Sequence, residues 1–408
     1  MQVNDIRALF PILATQVYGK PLVYLDNAAS SQRPVAIVDE QRKLVENANA
    51  NIHRAVHCLA GKATEAYEST RDFVKDYLNA ASREEVVFTS GTTAAINLVA
   101  FSFGEAFVGE GDEVIVSVAE HHSNIVPWQL LCQRKKAVLK VLDIRENGVL
   151  AVEQLEKMIS PRTKIIAIAH ISNVLGIINP LQKIIATSHR HGIPVLVDGA
   201  QGIVHTRVDV QALDCDFYVF SGHKVFAATG TGVLYGKKKW LEAMPPYMGG
   251  GEMIESVSFA KTTFAPLPEK FEAGTQNFNA IPTLIPALTF HKTCLEDKEI
   301  LDYQNDIKDF IYKSLTGDLP VNLYGQPESL QERIALFSFA AKGAHHEDMA
   351  LILDKMGIAL RSGQMCAEPL MDRLGVTGLL RSSFTWYNTM EEAEYFVKSL
   401  TRAIEMLS

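Results

Sequence analysis

Lys224 follows an apolar segment whose end carries several polar groups. The run Phe217–Phe220 leads directly into a Ser-Gly-His-Lys sequence. A lysine that loses its hydration beside other cations has a lowered pKa and can attack a carbonyl, and Ser221 and His223 offer hydrogen-bond donors to a phosphate. A solvated surface lysine is the common alternative. The strand pattern at 233–235 argues against an ordinary exposed helix.

Two other predicted strands also end in polar groups. A Gly-Thr-Thr sequence with Thr92 and Thr93 follows Val86–Thr89 and begins a predicted helix. Unpaired N–H groups and hydroxyls at a helix start can bind phosphate, although simple capping by threonine is the alternative. Asp198 ends the run that begins at Val195. Its carboxylate could keep a pyridine nitrogen protonated, or it could cap a helix.

Each segment alone is ambiguous, but phosphate cradle, aspartate and lysine occur in the order and with the chemistry of a pyridoxal 5'-phosphate (PLP) site. We therefore predict that PLP is held as a Schiff base on Lys224. His121, in a Glu-His-His sequence after the predicted strand Val114–Val118, could stack on the pyridine ring and exchange protons with a substrate. A metal site is a second interpretation, but neighbouring histidines in a loop do not converge easily on one ion.

Cys366 and Arg381 could add chemistry that the lysine does not specify. Cys366 lies in a turn-rich loop near Arg361, and a neighbouring cation favours the thiolate. Arg381 could hold a carboxylate through two hydrogen bonds, with a surface ion pair as the alternative. The odd number of cysteines and the lack of a CxxC sequence argue against a disulfide framework or a structural zinc site. We interpret the other four as free thiols without a catalytic part: Cys58, Cys132, Cys215 and Cys294.

Charge and hydropathy exclude several classes of protein. The chain has 408 residues, with 39 basic against 47 acidic side chains and a net charge of −8, which disfavours a nucleic-acid or anionic-membrane partner. No apolar run approaches the roughly 18 residues of a membrane span. Residues 1–10 lack the basic start and apolar run of a signal peptide. We therefore predict a cytoplasmic protein.

Short apolar runs alternate with amphipathic segments from about residue 85 to 236, which is typical of a mostly parallel sheet covered by helices. The predicted strands are Val86–Thr89, Val114–Val118, Val138–Leu142, Ile165–Ala169, Val195–Val197, Phe217–Phe220 and Gly232–Tyr235. The predicted helices are Ala94–Phe103, Val152–Ile159 and Leu181–His191. This region carries all of the proposed cofactor ligands named so far.

The pattern changes after Phe271. It predicts, in order, a helix, a strand, a helix, a short strand and a final helix over Ile300–Leu315, Ile334–Ala340, Glu347–Met356, Ile358–Leu360 and Glu391–Leu407. We predict an α/β protein with a large domain at 22–280 and a smaller α+β domain at 281–408. The segment 1–21 is expected to pack on the small domain.

Six segments resemble those of the cysteine desulfurases. They are Tyr24–Ala29, Asn51–Arg54, Glu120–Asn124, Val197–Gln201, Ser221–Lys224 and Arg361–Cys366. This family belongs to the class V PLP enzymes of fold type I, the aspartate-aminotransferase-like fold. The short Arg-x-Gly-x-x-Cys loop resembles the Suf/Csd branch, group II, which includes the selenocysteine lyases. Its flanking residues are most similar to the Csd-type enzyme, and the matches run from about residue 22 to 385.

The resemblance implies a role for each matching residue. Lys224 would form the Schiff base and later move protons, and His121 would stack on the ring. Asp198 would pair with the ring nitrogen, and Gln201 would contact the phenolic oxygen. The implied phosphate ligands are Thr92, Thr93, Ser221, His223 and, from the other subunit of a homodimer, Thr275. The implied substrate-binding residues are Asn173 and Arg381, which hold the carboxylate, together with Arg361 and His53.

The implied activity is removal of sulfur from L-cysteine, which leaves L-alanine and a persulfide on Cys366. An acceptor protein would collect the sulfur for Fe–S clusters or thio-cofactors, and selenocysteine and cysteine sulfinate are further implied substrates. Two alternatives remain: a class V aminotransferase or kynureninase-like hydrolase, neither of which requires Cys366, and a non-enzymatic sulfur carrier or scaffold. Many relatives carry Glu after Gly-Thr-Thr, whereas this chain has Ala94, which leaves any dimer-interface role of that acid open.

Overall fold

A computed structural model describes residues 2–407. The α-helices, in chain order, are α1 (Val3–Ala8), α2 (Val35–Ala48), α3 (Cys58–Leu78), α4 (Thr92–Phe107), α5 (Val126–Lys135), α6 (Leu155–Met158), α7 (Leu181–Arg190), α8 (Gly202–His205), α9 (Val210–Leu213), α10 (Lys238–Ala243), α11 (Leu284–Glu296), α12 (Lys298–Thr316), α13 (His346–Lys355), α14 (Glu368–Leu374) and α15 (Met390–Leu407). The strands are β1 (Gln16–Val17), β2 (Lys20–Pro21), β3 (Val23–Tyr24), β4 (Val86–Thr89), β5 (Glu113–Ser117), β6 (Val138–Leu142), β7 (Thr163–Ala169), β8 (Val195–Asp198), β9 (Phe217–Ser221), β10 (Gly232–Gly236), β11 (Ile254–Val257), β12 (Thr262–Phe264), β13 (Val321–Tyr324), β14 (Leu336–Ala341), β15 (Ile358–Ala359), β16 (Arg361–Gly363) and β17 (Leu379–Ser383).

The central sheet has seven strands in the order β4-β10-β9-β8-β7-β5-β6. The pairs among β9, β8, β7, β5 and β6 are all parallel, and only β10 runs antiparallel, to both β4 and β9. All seven strands coincide with predicted ones. The α/β fold with a mostly parallel central sheet is therefore confirmed.

Helices cover both faces of this sheet, because successive residues of a strand point to opposite faces. Ile165 and Ala167 of β7 pack in an apolar cluster with residues of α4 and α5. Ile166 and Ile168 belong to the cluster on the other face, with residues of α3, α7 and α11. Burial on both faces explains the unbroken apolar runs in the sequence.

A second, antiparallel sheet has the order β13-β14-β17-β16. Its apolar face packs with residues of α12, α13 and α15. Of these elements, α12, α13, α15 and β14 match predicted ones, whereas β13, β16 and β17 were not predicted. The predicted short strand Ile358–Leu360 matches β15, which pairs with β3 outside this sheet. Among residues 2–407, no helix is long and apolar enough to cross a membrane.

The N-terminal segment contacts both parts of the chain. Arg7 forms an ion pair with Glu392 of α15 at 2.8 Å, whereas the Phe10 ring packs against Phe226, near the central sheet, with a centroid distance of 6.0 Å. The strand β3 pairs in parallel with β15. The division at 281 and the placement of 1–21 stay predictions.

Candidate active site

A pocket of about 280 Å³ lies where the parallel strands β7, β8 and β9 end. Parallel strands present their carboxyl ends at one edge of a sheet, which is where ligands of such folds bind. Its wall contains eight of the predicted cofactor ligands: Thr92, Thr93, His121, Asp198, Gln201, Ser221, His223 and Lys224. It also contains Asn173, Arg361, Arg381 and Cys366. Segments up to 353 positions apart in sequence, from Ala28 to Arg381, therefore meet in one cavity.

The start of α4 forms one wall of the pocket. Gly91 precedes the helix with φ +150°, and no side chain caps the helix. The Thr92 N–H donates to Ser221 Oγ at 2.8 Å, and the two hydroxyl oxygens are also 2.8 Å apart. A Cβ on Gly232 would lie 2.4 Å from Gly91 Cα, so the approach of β10 to this turn requires glycine. An uncapped helix start beside two hydroxyls fits a phosphate group.

Asp198 and Lys224 are the oppositely charged groups of the pocket. Asp198 is 5% exposed, and its Oδ1 accepts the Ala200 N–H at 3.0 Å. Burial raises the pKa of Asp198, and the charge of Lys224 opposes that rise. Burial likewise lowers the pKa of Lys224, against the effect of Asp198. A lysine that gives up its proton readily is a nucleophile, as the lysine that binds PLP must be. The Asp198 carboxylate suits the protonated ring nitrogen of PLP. Both residues therefore fit PLP.

His121 is held in one tautomer. Its Nδ1 accepts the Ser123 N–H at 3.1 Å and lies 2.7 Å from Ser123 Oγ, so the proton of the neutral ring is on Nε2. Burial, followed by the charge of Lys224, lowers the pKa of His121 to about 3. The ring is therefore neutral at physiological pH and retains one proton to donate.

Arg381 lies in the middle of β17 and is 3% exposed. Its Nη2 donates to Asp26 Oδ1 at 3.0 Å, and its Nη1 donates to the Asn173 carbonyl at 2.9 Å. Arg361 approaches the other oxygen of Asp26 at 3.9 Å. The remaining donor, Arg381 Nε, is buried without a hydrogen-bond partner. A fixed guanidinium with a spare donor suits a carboxylate ligand.

The loop that carries Cys366 is anchored through its main chain. Met365 and Cys366 both have positive φ values, +54° and +55°, which non-glycine residues rarely adopt. The His122 N–H donates to the Cys366 carbonyl at 2.8 Å, and Asn173 Nδ2 donates to the Met365 carbonyl at 2.9 Å. The His122 ring accepts the Glu368 N–H at 3.1 Å. The loop therefore presents an exposed Cys366 side chain at the pocket.

Two predicted site residues lie outside the pocket of their own chain. Thr275 lines a different cavity, together with Tyr67 and Glu272. His53 lies 3.0 Å through Nε2 from Glu68 Oε1. The expectation that Thr275 acts in a second subunit stays a prediction.

Sequence reasoning missed two residues that organise the site. Asp26 lies in the quoted segment Tyr24–Ala29 but received no role, because its partners, Arg381 and Arg361, are more than 300 positions away. His122 was weighed together with His121 as an imidazole that could stack on the ring or bind a metal, and its hydrogen bonds to the Cys366 loop had no local signal. Among residues 2–407, no group of three or more His, Cys, Asp or Glu side chains could hold a metal ion.

Comparisons with known proteins show the family to which the chain belongs. The family model described as aminotransferase class-V matches residues 23–396. A probable cysteine desulfurase of Halalkalibacterium halodurans is 44% identical over 408 aligned residues, covering 99% of this chain and 98% of the relative. A cysteine desulfurase of Salmonella agona is 45% identical, with 99% of each chain covered. Among solved structures, the cysteine desulfurase CsdA of Escherichia coli superposes with a TM-score of 0.91 at 39% identity, covering 100% of both chains. The apo cysteine desulfurase of Thermococcus onnurineus NA1 gives 0.93 at 33% identity, covering 100% of this chain and 99% of the other.

Proposed function

Because this chain belongs to the aminotransferase class-V family and, within it, to the PLP-dependent cysteine desulfurases, we propose that Cys366 is the residue that takes the sulfur of L-cysteine. The observation that carries the proposal is one pocket whose wall combines a half-buried amine, an anchored guanidinium and an exposed thiol, on Lys224, Arg381 and Cys366. An aminotransferase or a hydrolase of this fold has no use for the thiol.

The proposed cofactor ligands divide by the part of PLP that they hold. The phosphate would be bound by Thr92, Thr93, Ser221 and His223. The ring would be held by Asp198 at its nitrogen, Gln201 at its phenolic oxygen and His121 at its face. When bound, PLP supplies an electron sink for the α-carbon of the substrate.

Lys224 has two proposed tasks. Its Nζ would hold PLP at the aldehyde carbon when no substrate is bound. With substrate bound, the Lys224 amine, whose pKa burial lowers, would accept the Cα proton and could return it. His121 has its proton on Nε2 and can donate to the substrate.

Arg381 and Asn173 orient the substrate in the proposal. Arg381 Nε is the donor still unpaired, and a carboxylate oxygen would satisfy it. Asn173 contributes its carbonyl to Arg381 and its amide to the Met365 carbonyl. The same residue therefore links the carboxylate site to the Cys366 loop.

The sulfur step uses the Cys366 thiolate as nucleophile. A bond forms between Cys366 Sγ and the substrate sulfur, the substrate Cβ–S bond breaks, and its electron pair goes to Cβ, which is then protonated. L-cysteine and the Cys366 thiol give L-alanine and a Cys366 persulfide, without an external oxidant or reductant.

The test is Cys366→Ala, with Cys58→Ala as the control, because these are the exposed cysteines among residues 2–407. We expect Cys366→Ala to bind PLP normally, by its visible absorbance, but to lose alanine formation from L-cysteine. Cys58→Ala should keep it. Alanine and sulfide release by Cys366→Ala at the wild-type rate would refute the assignment. Selenocysteine turnover should tolerate the loss better, because selenium leaves more easily than sulfur.

The proposal extends to a homodimer in which Thr275 of one subunit reaches the phosphate of the other. Dimers mixed from Lys224→Ala and Thr275→Ala chains test this. If Thr275 acts across the interface, each mixed dimer has one intact site and activity returns on mixing. Activity that stays at the level of the unmixed variants would contradict it.

Selenocysteine and cysteine sulfinate are proposed as further substrates, and an acceptor protein as the recipient of the sulfur for Fe–S clusters or thio-cofactors. A persulfide needs a compartment in which thiols stay reduced, so we place the reaction in the cytoplasm. Transfer of labelled sulfur from Cys366 to candidate acceptors, followed by mass spectrometry, identifies the recipient. Loss of the label as free sulfide with every candidate would count against protein-to-protein transfer.

A further inference from the structure

A second cavity, of about 190 Å³, lies between α12, the segment 331–335 and the loop after β17. Ile178 and His205 complete its wall from the region of the central sheet. It shares no lining residue with the active-site pocket. Among the described residues that line it, none is acidic, whereas Lys308 and Arg333 are basic.

Three side-chain donors in this wall have no acceptor. Gln304 Nε2, Arg333 Nε and Trp386 Nε1 are buried, and none has a hydrogen-bond partner. A buried donor without an acceptor costs folding free energy, so such groups are few in native proteins and each needs a reason. Three such donors on residues that line one cavity are what a bound group with several acceptor atoms would satisfy.

The active site offers a parallel within the same chain. Apart from these three, one buried side-chain nitrogen in residues 2–407 lacks a partner, and it is Arg381 Nε. Arg381 lines the pocket in which we place the substrate carboxylate. The other three unpaired nitrogens belong to residues that line a cavity with no ligand assigned to it.

Arg333 is also a buried cation without a counter-charge. It is 1% exposed, and its Nη1 and Nη2 donate to the carbonyls of Gly325 and Leu336, each at 2.7 Å. Among residues 2–407 no carboxylate forms an ion pair with it. Burial lowers the pKa of Arg333 to about 10, which still leaves it charged at neutral pH. A buried charge is unfavourable unless a group of opposite sign accompanies it.

We propose that this cavity is a binding site for a small oxyanion, held by Arg333, Trp386 and Gln304. Lys308, which donates to Asn305 Oδ1 at 3.0 Å, adds a second positive charge at the wall. One water molecule in the liquid takes about 30 Å³, so the cavity has room for a phosphate, sulfate or carboxylate group with some hydration. This site is independent of the sulfur chemistry proposed above.

The test uses the PLP-loaded enzyme, so that the phosphate site at the start of α4 is already filled. Isothermal titration calorimetry measures binding of inorganic phosphate, sulfate and acetate at constant ionic strength, with chloride as the background. Arg333→Met would also disturb Gly325 and Leu336, so the informative variants are Trp386→Phe, which removes one donor and keeps an aromatic ring, and Lys308→Met. Lys313→Met, exposed on the same helix and outside the cavity, is the matched control.

We expect saturable binding of one anion per chain. Trp386→Phe and Lys308→Met should each weaken it about tenfold, the effect of one hydrogen bond or one nearby charge, and Lys313→Met should bind like the wild type. Tighter binding of acetate than of phosphate would identify the natural ligand as a carboxylate. Tighter binding of phosphate or sulfate than of acetate would identify it as a phosphate or sulfate. No saturable binding of any of the three anions, or equal affinity in all four proteins, would overturn the proposal.

Discussion

The neutral state of His121 leads to a prediction about stability in acid. Its Nδ1 is occupied by the Ser123 N–H, and burial lowers its pKa from 6.5 to about 3. As the pH falls through 6.5, the unfolded chain binds a proton at this position and the folded chain does not. Acidification therefore favours unfolding, and this contribution is absent in His121→Phe, which keeps an aromatic ring and cannot titrate.

The size of the effect follows from these two values. At about pH 8 neither state is protonated at His121, and the contribution is close to zero. About pH 5 is roughly 1.5 units below the pKa of His121 in the unfolded chain, so His121 is protonated there. In the folded chain His121 is still unprotonated at this pH. With about 1.36 kcal/mol per unit, the wild type should lose about 2 kcal/mol of unfolding free energy relative to His121→Phe between these pH values.

Urea unfolding of both proteins, followed by circular dichroism at about pH 8 and about pH 5, measures this difference. The other histidines with lowered pKa values occur in both proteins and cancel in the comparison; they are His170, His205, His223, His291 and His346. If the difference in unfolding free energy between the two proteins did not change with pH, His121 would have the same pKa in the folded and unfolded chains. The same conclusion would follow if a step near pH 6.5 in the kcat/KM profile disappeared in the variant.

Two further substitutions test the geometry of the pocket. Gly232→Ala should weaken PLP binding at least tenfold and cost about 1–3 kcal/mol of stability, because its Cβ would meet Gly91 Cα at 2.4 Å; equilibrium dialysis and urea unfolding measure the two effects. Gly61→Ala, which meets nothing within 4 Å, is the control, and equal behaviour of both variants would contradict the reasoning. Asp26→Ala should cost about 3–5 kcal/mol and raise the KM for L-cysteine, because it leaves the buried Arg381 cation unpaired. Asp26→Asn keeps an acceptor and should recover much of the loss, so identical KM values in both variants would argue against an orienting role.

The sequence predicted the central sheet well, because strands buried on both faces consist of unbroken Val, Ile and Phe runs. The long helix α3 was not predicted. Its buried face includes Arg71, which is 0% exposed and pairs at 2.7 Å with Glu272, 201 residues further along the chain. Ala63, Tyr67, Val74 and Leu78 form an apolar stripe on the same face, but the buried Thr70 and Arg71 interrupt it, which weakened the helical pattern.

The same limit explains which site residues could be predicted. Lys224, Asp198 and the Gly-Thr-Thr turn could be proposed because each lies at or just after the end of a strand. Asp26 was missed because its role depends on Arg381, which β17 brings to it from the far end of the chain. The positive φ values at Met365 and Cys366 could not be foreseen either, since neither residue is a glycine.

If Cys366 carries the sulfur as proposed, its anchored loop also restricts how that sulfur can leave the protein. With the carbonyls of Met365 and Cys366 both held by hydrogen bonds, the main chain cannot swing outward while those bonds last. The outer sulfur of a Cys366 persulfide would then move only by rotation about the Cα–Cβ and Cβ–Sγ bonds, which allows only a short displacement. A recipient would therefore have to extend its own nucleophile, on a projecting loop, to the mouth of the pocket. Sulfur transfer would depend more on the shape of the acceptor protein than on any movement of the Cys366 loop.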